Sequence, residues 1–256
     1  MTPGSSETET PLRISLVVPC YNEASRLDIA SFRRALAACP AVRLIFVDDG
    51  SSDLTLSALK EICIGHENHA HVVQRSRNAG KGEAVRAGVN HALHNFEQDV
   101  VGYWDADLAT PLDAVDSLVT PLRNDPKLEM VFGSRVQLLG RHVERSAARH
   151  YLGRIFATAV STVLQLPVYD TQCGAKLFRA NQHLQMVFTE PFLSKWVFDV
   201  EIIARYMQLY GGPTAMATKI YEYPLNRWVD VRGSKVHPGD FFTAFIDIIK
   251  IKRKYL

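Results

Sequence analysis

The stretch Val42-Arg-Leu-Ile-Phe-Val-Asp-Asp-Gly-Ser-Ser-Asp53 contains an apolar run that ends in an acidic turn. The β-branched and apolar residues of Val42–Val47 predict a buried strand. The Ser and Asp residues after it can cap a helix that extends from about Leu54 to Ile64. A buried strand that passes through a polar turn into a helix is the repeating unit of an α/β fold.

The same alternation continues on both sides of this unit. Further strands are predicted at Ile14–Val18, His71–Gln74 and Val100–Trp104, with helices over Glu23–Ala38 and Glu83–Asn95. This spacing predicts an open parallel sheet with helices on both faces, in which ligands bind beyond the carboxyl ends of the strands. Four polar clusters fall at those ends: Pro19–Glu23, Asp48–Asp53, Asn78–Gly82 and Asp105–Asp107.

The second half of the chain is less regular. Strands are predicted at Met130–Gly133, Lys176–Arg179 and Lys219–Pro224, and helices over Val143–Leu166 and Val197–Tyr210. Basic residues are concentrated in this half, and three of them recur every four residues, as on one helix face: Arg141, Arg145 and Arg149. A solvated helix face and an anion-binding groove both explain that spacing.

Composition excludes several classes of protein. The 256 residues are 47% hydrophobic, which suits one large α/β domain, and the net charge of +2 gives no indication of nucleic-acid binding. The four cysteines have no paired spacing, so neither a zinc site nor a disulfide framework is indicated. The P-loop spacing and the G-x-G-x-x-G motif are absent, which argues against a P-loop ATPase and a dinucleotide oxidoreductase.

No membrane-spanning segment is predicted. The polar first ten residues lack the apolar region of a signal peptide. The most apolar long stretch, Ile155 to Val168, is shorter than the roughly 20 residues that cross a bilayer and contains Ser, Thr and Gln. We therefore expect a soluble protein or one bound to a membrane surface.

Asp105 and Asp107 directly follow the predicted strand Val100–Trp104. In extended geometry residues i and i+2 point to the same side, so the two carboxylates would repel each other without a cation between them. Hard oxygen ligands suit Mg²⁺ or Mn²⁺, with substrate phosphates completing the coordination. A solvated surface loop is the alternative interpretation of this Asp-X-Asp sequence.

Residues at the other strand ends are suited to a nucleotide. Asp49 can accept a hydrogen bond from a nucleobase imide, and Tyr21 offers a ring face for stacking. A helix cap is the alternative role for Asp49, a packed loop aromatic for Tyr21, and a favourable dipole contact for Glu23. The glycine-rich turn Asn78-Ala-Gly-Lys-Gly82, with Lys81, can meet an anion where it opens a helix.

Taken in order, these motifs resemble those of inverting family 2 glycosyltransferases with a GT-A fold. The first-half motifs are Val18-Pro-Cys-Tyr-Asn-Glu23, Val47-Asp-Asp-Gly-Ser-Ser-Asp53, Arg77-Asn-Ala-Gly-Lys-Gly82, Asp105-Ala-Asp107 and Gly133-Ser-Arg135. The second half resembles the dolichyl-phosphate β-glucosyltransferases, relatives of the dolichyl-phosphate mannose synthases. Its motifs are Asp170-Thr-Gln-Cys-Gly-Ala-Lys-Leu-Phe178, Trp196-Val-Phe-Asp-Val-Glu201 and Arg227-Trp-Val-Asp-Val-Arg-Gly-Ser-Lys235.

The resemblance implies a role for each matching position. The donor-binding residues would be Pro19, Tyr21, Glu23, Asp49, Lys81 and Asp105, and the metal ligands Asp105 and Asp107. The catalytic group would be Asp105, Asp107, Asp170 and Arg135, with Asp170 in a base-like or positioning role. Contacts to the acceptor phosphate would come from Arg145, Arg149, Lys176, Arg232, Ser234 and Lys235. Related mannose synthases often carry Gln as a further metal contact where this chain has Ala109.

The resemblance also implies the reaction. We expect a metal-dependent glycosyltransferase with Mg²⁺ or Mn²⁺, which transfers a hexose, glucose from UDP-glucose, to a polyprenyl phosphate of the dolichyl or undecaprenyl type with inversion. The alternatives are a family 2 enzyme with a soluble hydroxyl acceptor and one with GDP-mannose as donor. A nucleotidyltransferase, which would release pyrophosphate, and an inactive binding protein are more remote.

The predicted organisation has three parts. Residues 1–11 form a disordered tail, and residues 12–238 form the GT-A domain, with a nucleotide-sugar half (12–110) and an acceptor half (111–238). Residues 239–256 form an amphipathic basic helix with Phe242, Phe245, Ile246 and Ile249 on one face. That face either lies in a membrane interface, with the protein peripheral on the cytoplasmic side of the membrane, or packs against the domain.

Overall fold

The first half folds as regular strand–helix units. A computed structural model describes residues 11–144, 147–231 and 238–256, without the side chains of 147–150 and 238–242. Its first-half elements are β1 (Ile14–Cys20), α1 (Ile29–Ala38), β2 (Val42–Asp48), α2 (Thr55–Cys63), β3 (Ala70–Gln74), α3 (Lys81–Asn95), β4 (Val100–Trp104) and α4 (Ala114–Asn124). Strands β1 to β4 pair in parallel, as predicted.

The second half adds further strands and the helices of the other face. Its elements are β5 (Met130–Ser134), β6 (His142–Glu144), α5 (Ala147–Leu164), β7 (Ala175–Arg179), α6 (Gln182–Thr189), α7 (Phe198–Tyr210), α8 (Pro213–Met216), β8 (Ile220–Pro224), β9 (Arg227–Val229) and α9 (Pro238–Tyr255). Seven strands form one sheet in the order β3-β2-β1-β4-β7-β5-β8, and β6 pairs with β9 in a small second sheet.

Strand β7 is the irregular member of the main sheet, because it runs antiparallel to both of its neighbours, β4 and β5. The sequence did not predict this reversal. Two antiparallel pairings in succession leave β5 in the same direction as β4. The carboxyl ends of β1, β2, β4 and β5 and the start of β7 therefore lie at one edge of the sheet.

The core lies on both faces of the sheet, which confirms the predicted α/β class. Alternate residues of a strand point to opposite faces. In β4, Val101 and Tyr103 join an apolar cluster with α3, α5, α6, α7 and α9, whereas Val100 and Trp104 join a cluster with α1, α2 and α4. Strand β4 is fully buried, so the chain that follows it emerges from the centre of the molecule.

Helix α1 begins at Ile29, six residues later than predicted. The backbone N–H of Glu23 donates to the Thr55 hydroxyl (2.7 Å), so the segment before the helix is fastened to the acidic turn after β2. The helix is capped instead by Asp28, whose carboxylate accepts from the Ser31 N–H (2.9 Å).

Helix α5 begins at Ala147, and the prediction that it starts at Val143 was wrong. Val143 lies in β6, where it pairs with Trp228 of β9. Arg141 precedes this strand, and its guanidinium donates to the side chain of Asn226 (2.6 Å), so it does not share a helix face with Arg149. Local helical spacing was outweighed here by pairing with a distant segment.

Helix α9 packs on the domain through a face that differs from the predicted one. Its buried residues Ala244, Ile248 and Ile251 join the apolar cluster that includes α5 and α7. Three residues of the predicted apolar face are 40%, 41% and 52% exposed: Phe245, Ile246 and Ile249. The side chain of Phe242 lies outside the described residues. The helix therefore packs on the domain mainly through another face, and of the predicted face Phe245 still contacts Phe156 of α5.

Candidate active site

A pocket of about 680 Å³ opens at the edge of the sheet where the carboxyl ends of β4 and β5 meet the start of β7. Five of the predicted site residues line it: Lys81, Asp105, Asp107, Arg135 and Asp170. Its wall also contains cations, aromatics and acids outside the predicted set, among them Arg154, Lys195, Trp196, Phe198, Asp199, Trp228 and Asp230. The pocket thus combines both signs of charge with an apolar wall.

Asp105 forms an ion pair with Lys81 at the base of the pocket. It follows the last residue of β4, and its Oδ1 lies 2.6 Å from Nζ of Lys81, the first residue of α3. Burial acts to raise the pKa of Asp105, but the charge and hydrogen bond of Lys81 outweigh burial, so this pKa lies below its ordinary value. Burial likewise acts to lower the pKa of Lys81, yet Asp105 raises it overall. Both groups are therefore charged at neutral pH.

Gly174 allows Asp105 to occupy this place. The Asp105 N–H donates to the Gly174 carbonyl (3.0 Å), which brings the loop before β7 against the acid. A Cβ atom at position 174 would lie 1.9 Å from Asp105 Oδ2. Any residue other than glycine would therefore displace the carboxylate.

Asp107 lies in the turn that follows, where Leu108 has a φ of 52°. One of its carboxylate oxygens accepts from the Ala109 N–H (3.1 Å), and the other lies 3.3 Å from Nη2 of Arg26. Burial and then repulsion from Asp105 raise the pKa of Asp107. Of the two acids, Asp107 is thus the one whose ionisation is less favourable than that of an ordinary aspartate, and additional positive charge nearby would favour it.

The donor set fits a hard divalent cation. Among residues 11–144, 147–231 and 238–256, no group of three or more His, Cys, Asp or Glu side chains is arranged to hold a metal. Two carboxylates are nevertheless a sufficient protein contribution for Mg²⁺, which usually keeps waters and takes further oxygens from substrate phosphates. The raised pKa of Asp107 is the electrostatic state that a bound cation would relieve.

Arg135 and Asp170 form a largely buried ion pair in the pocket wall. The Arg135 guanidinium donates to both carboxylate oxygens of Asp170, from Nε at 2.6 Å and from Nη2 at 2.7 Å. Glu222 of β8 holds the loop beneath them by accepting from the N–H groups of Tyr169 and Asp170. This geometry engages the Asp170 carboxylate with an arginine, which suits a positioning role better than a base-like one.

Lys176 lies beneath the pocket floor, fully buried in β7. Its Nζ is 2.7 Å from Asp199 Oδ1 and 2.5 Å from the Cys173 carbonyl, and the Tyr103 hydroxyl donates to the same oxygen of Asp199. The predicted contact of Lys176 with an acceptor phosphate does not fit this position. Nothing in the sequence around Lys176 indicated that its side chain would point into the core.

The four predicted donor residues at the ends of β1 and β2 lie outside the wall of this pocket. Asp49 is buried, and its carboxylate accepts from Arg75 (2.8 Å) and from the N–H groups of Ala79 (3.1 Å) and Gly80 (2.8 Å). Burial raises the pKa of Asp49 against these hydrogen bonds. It therefore ties the end of β2 to the glycine-rich turn that presents Lys81. The other three residues occupy the end of β1 and the segment after it: Pro19, Tyr21 and Glu23.

Five predicted acceptor contacts fall on parts of the chain whose side chains lie outside the described residues: Arg145, Arg149, Arg232, Ser234 and Lys235. The described part of the pocket instead contains two cations that the predicted site did not include. Arg154 of α5 stacks on the Tyr169 ring, with its guanidinium carbon 3.9 Å from the ring centre, and Lys195 precedes α7. Lys195 directly precedes the motif Trp196–Glu201, which is the sequence signal that could have indicated it.

The pocket mouth borders exposed apolar surface. Leu152 of α5 lines the pocket and is 48% exposed, and Ile155, one position after Arg154, is 62% exposed. The neighbouring α9 contributes Phe245, whose ring centre is 6.4 Å from that of Phe156 in the pocket wall. Within the described residues, no helix is long and apolar enough to cross a membrane.

Sequence comparison agrees with the geometry of the site. Residues 15–183, more than half of the chain, match Glycosyl transferase family 2. The chain therefore belongs to this family and is a glycosyltransferase, as the motifs predicted. Relatives that match nearly the whole chain are named dolichyl-phosphate beta-glucosyltransferase. The Mus musculus protein is 30% identical over 95% of this chain and 76% of its own length. The Saccharomyces cerevisiae protein is 29% identical over 95% and 75%, respectively.

Solved structures share the GT-A fold. Glucosyl-3-phosphoglycerate synthase from Mycobacterium tuberculosis in complex with UDP superposes with a TM-score of 0.64 at 22% identity, covering 94% of this chain and 80% of that chain. Its complex with Mn²⁺, UDP-glucose and phosphoglyceric acid gives a TM-score of 0.65 at 20% identity, with the same coverage. At this identity the likeness establishes the fold alone, and it confirms the predicted fold class.

Proposed function

We propose that this protein transfers glucose from UDP-glucose to a polyprenyl phosphate with inversion, in a reaction that depends on Mg²⁺ or Mn²⁺. One observation carries the proposal: a single pocket joins an acid pair, a set of cations and an apolar wall that continues into the exposed faces of α5 and α9. The relatives named dolichyl-phosphate beta-glucosyltransferase support the donor sugar and the lipid acceptor.

The acid pair and Lys81 form the donor side. A divalent cation held by Asp105 and Asp107 would neutralise the charge that develops on the departing diphosphate. Lys81 places a positive charge 2.6 Å from Asp105, where it would also attract the diphosphate of the donor. The residues at the ends of β1 and β2, with Tyr21 partly exposed there, form the proposed nucleoside side.

The cations of the pocket wall suit a phosphate acceptor. A phosphate monoester has its second pKa near ~6, so it is largely a dianion at neutral pH and needs little deprotonation. Two acids of the pocket wall that could serve a hydroxyl acceptor as a base are engaged: Asp170 with Arg135, and Asp199 with Lys176. Arg154 and Lys195 add positive charge on the pocket wall. Positive charge around the acceptor is what the phosphate reaction requires.

The bond changes follow from this arrangement. An acceptor phosphate oxygen forms a bond to the anomeric carbon of glucose while the bond from that carbon to UDP breaks. UDP leaves with the electron pair of the broken bond, and one direct displacement inverts the anomeric centre. The protein's task is to hold the two phosphate-bearing substrates next to each other in one pocket with their charges neutralised.

The exposed apolar residues of α5 and α9 support contact with a membrane surface. Those of α9 precede its basic last turn, which contains Lys252, Arg253 and Lys254. Each basic residue near an anionic bilayer contributes about 1 kcal/mol, which gives reversible binding. The proposed location is therefore peripheral, on the cytoplasmic face of a membrane, where a prenyl chain could lie along the exposed apolar surface.

A soluble phosphorylated acceptor is the second candidate. The solved neighbours include a complex with phosphoglyceric acid, and the same cations would suit such a compound. The two candidates differ in the use of the apolar surface, because only a lipid acceptor needs it.

The test measures metal-dependent UDP release from UDP-glucose and GDP release from GDP-mannose, with three added compounds: a short prenyl phosphate, the matching prenyl alcohol and 3-phosphoglycerate. We expect strong stimulation by the prenyl phosphate with UDP-glucose and none by the alcohol. Stimulation by 3-phosphoglycerate alone would replace the lipid acceptor with a soluble one. Release of pyrophosphate instead of UDP would indicate a nucleotidyltransferase.

A further inference from the structure

We propose that Glu201 and Tyr255 are positioning residues that hold the pocket wall at Lys195 and Trp196. Through Tyr255, α9 would then help to shape the active site in addition to any contact with a membrane. The change in acceptor KM that this inference predicts rests on the proposed function. The predicted change in hydrogen exchange does not, because it depends only on the contacts that hold the segment between α6 and α7.

Glu201 holds this segment from below. It lies in the first turn of α7 and is fully buried. Its Oε2 accepts hydrogen bonds from the N–H groups of Leu193 (2.8 Å) and Ser194 (3.4 Å). The buried Ser194 hydroxyl in turn accepts from the N–H groups of Trp196 (3.2 Å) and Val197 (2.9 Å). The Glu201 carboxylate therefore holds the backbone before Lys195, and the Ser194 hydroxyl holds the backbone after it.

The other oxygen of Glu201 joins the segment to the C-terminal helix. The Tyr255 hydroxyl, in the last turn of α9, donates to Oε1 at 3.0 Å. Arg205 Nη2 donates to the same oxygen at 2.7 Å, and its two Nη groups also donate to the carbonyls of Val187, Glu190 and Pro191. The whole connection from α6 to the pocket wall is thus fastened to one buried ion pair, which Tyr255 completes.

A second contact reaches the same wall from the middle of α9. The Phe245 ring centre is 6.4 Å from that of Phe156, and the Phe156 ring centre is 6.1 Å from that of Trp196. The end and the middle of the helix therefore connect to the wall segment by separate routes, through Glu201 and through Phe156. Two independent contacts from one helix to one wall are more than attachment of a terminal helix requires.

The segment is also adjacent to the donor side. Glu83 of α3 accepts from the Phe192 N–H (3.0 Å), and a Cβ atom at Gly80 would lie 3.2 Å from Cβ of Lys195. Lys81 follows Gly80 directly and pairs with Asp105. A shift of the wall would therefore change the space in which the two substrates meet. We expect the effect on the acceptor to exceed the effect on the donor, because Lys195 and Trp196 line the pocket without contributing to the acid pair that would hold the metal and the diphosphate.

The test is Tyr255→Phe, which keeps the ring and removes only the hydroxyl. Tyr210→Phe is the matched control, because it removes a hydroxyl that contacts His183 (2.9 Å) at the far end of α7. Hydrogen exchange of the amides of residues 193–197 is measured first. A hydrogen bond to a charged group contributes enough that we expect about tenfold faster exchange in Tyr255→Phe and no change in the control.

The same variants are then assayed without membranes, with the short prenyl phosphate. We expect KM for the acceptor to rise about fivefold, with KM for UDP-glucose within about twofold of the unaltered protein. Lowered thermal stability with unchanged exchange at 193–197 and unchanged acceptor KM would overturn the proposal, since Tyr255 would then only attach the helix. If the unaltered protein shows no response to the prenyl phosphate, the proposed function fails, and the exchange measurement still decides the inference.

Discussion

Replacing Asp170 by Asn tests whether this residue acts as a base or as a partner of Arg135. The carboxylate receives two hydrogen bonds from the Arg135 side chain, at 2.6 and 2.7 Å, and one from the Arg135 N–H at 3.0 Å. An amide retains one oxygen, so one of the two side-chain contacts becomes a donor facing a donor. The variant therefore loses one charge-assisted hydrogen bond and the neutralising charge of a buried ion pair.

The size of the effect follows from these contacts. Removing one partner of a buried ion pair costs about 3–5 kcal/mol, and the isosteric amide should cost less, about 2–3 kcal/mol of the free energy of unfolding. If Asp170 only positions Arg135, we expect turnover to fall about tenfold with an unchanged pH profile. A general base contributes about 10²–10⁴-fold, and its loss would also remove the acidic limb of the pH profile.

The assay is acceptor-dependent UDP release as a function of pH, together with urea unfolding. Asp116→Asn on the exposed side of α4 is the control for the change in charge. We expect Asp170→Asn to lose less turnover than Asp107→Ala, because only Asp107 belongs to the proposed metal site. A loss equal to or greater than that of Asp107→Ala would refute the argument that a phosphate acceptor needs no base.

Three further predictions concern the acid pair and the apolar surface. Gly174→Ala should reduce UDP release about a hundredfold, because the alanine Cβ would lie 1.9 Å from Asp105 Oδ2 and displace the carboxylate. Near-normal release would mean that the loop before β7 can shift without moving Asp105. Burial and the charge of Asp105 raise the pKa of Asp107 above its value in the unfolded chain, so stability falls as pH rises from the ordinary pKa through the raised one. Asp107→Asn should therefore increase the free energy of unfolding at pH 7 in metal-free buffer while abolishing most metal-dependent UDP release; lower stability there would contradict the assigned repulsion. Ile249→Asp on the exposed face of α9 should weaken flotation with anionic vesicles about tenfold, whereas the same change at the exposed Ile64, directly after α2, should have no effect; equal flotation of both variants would exclude α9 as the contact.

Much of the first half of the molecule was predictable because its signals are local. Strands β1 to β4 are short apolar runs that end in polar turns, and each turn is followed by a helix, so the parallel arrangement could be inferred before any contact was known. The pairing of Lys81, Asp105 and Asp107 in one pocket follows from the rule that the carboxyl ends of parallel strands share an edge.

The structure of the second half was less predictable because it depends on contacts between segments that are far apart in the chain. The reversal of β7 brings Gly174 against Asp105, and the pairing of β6 with β9 shortens α5 and removes Arg141 from its predicted helix face. Neither pairing has a signal in the spacing of residues along the chain, because β pairing is decided by the partner strand and by burial.

Short motifs in order were sufficient to predict the family, the parallel strands β1 to β4 and the acid pair. Only the tertiary structure decided which charges face the pocket. Lys176 is buried against Asp199, while Arg154 and Lys195 arrive at the wall from α5 and from the segment before α7. A charged side chain is buried only where an opposite charge lies within reach, and that depends on packing between segments far apart in the chain.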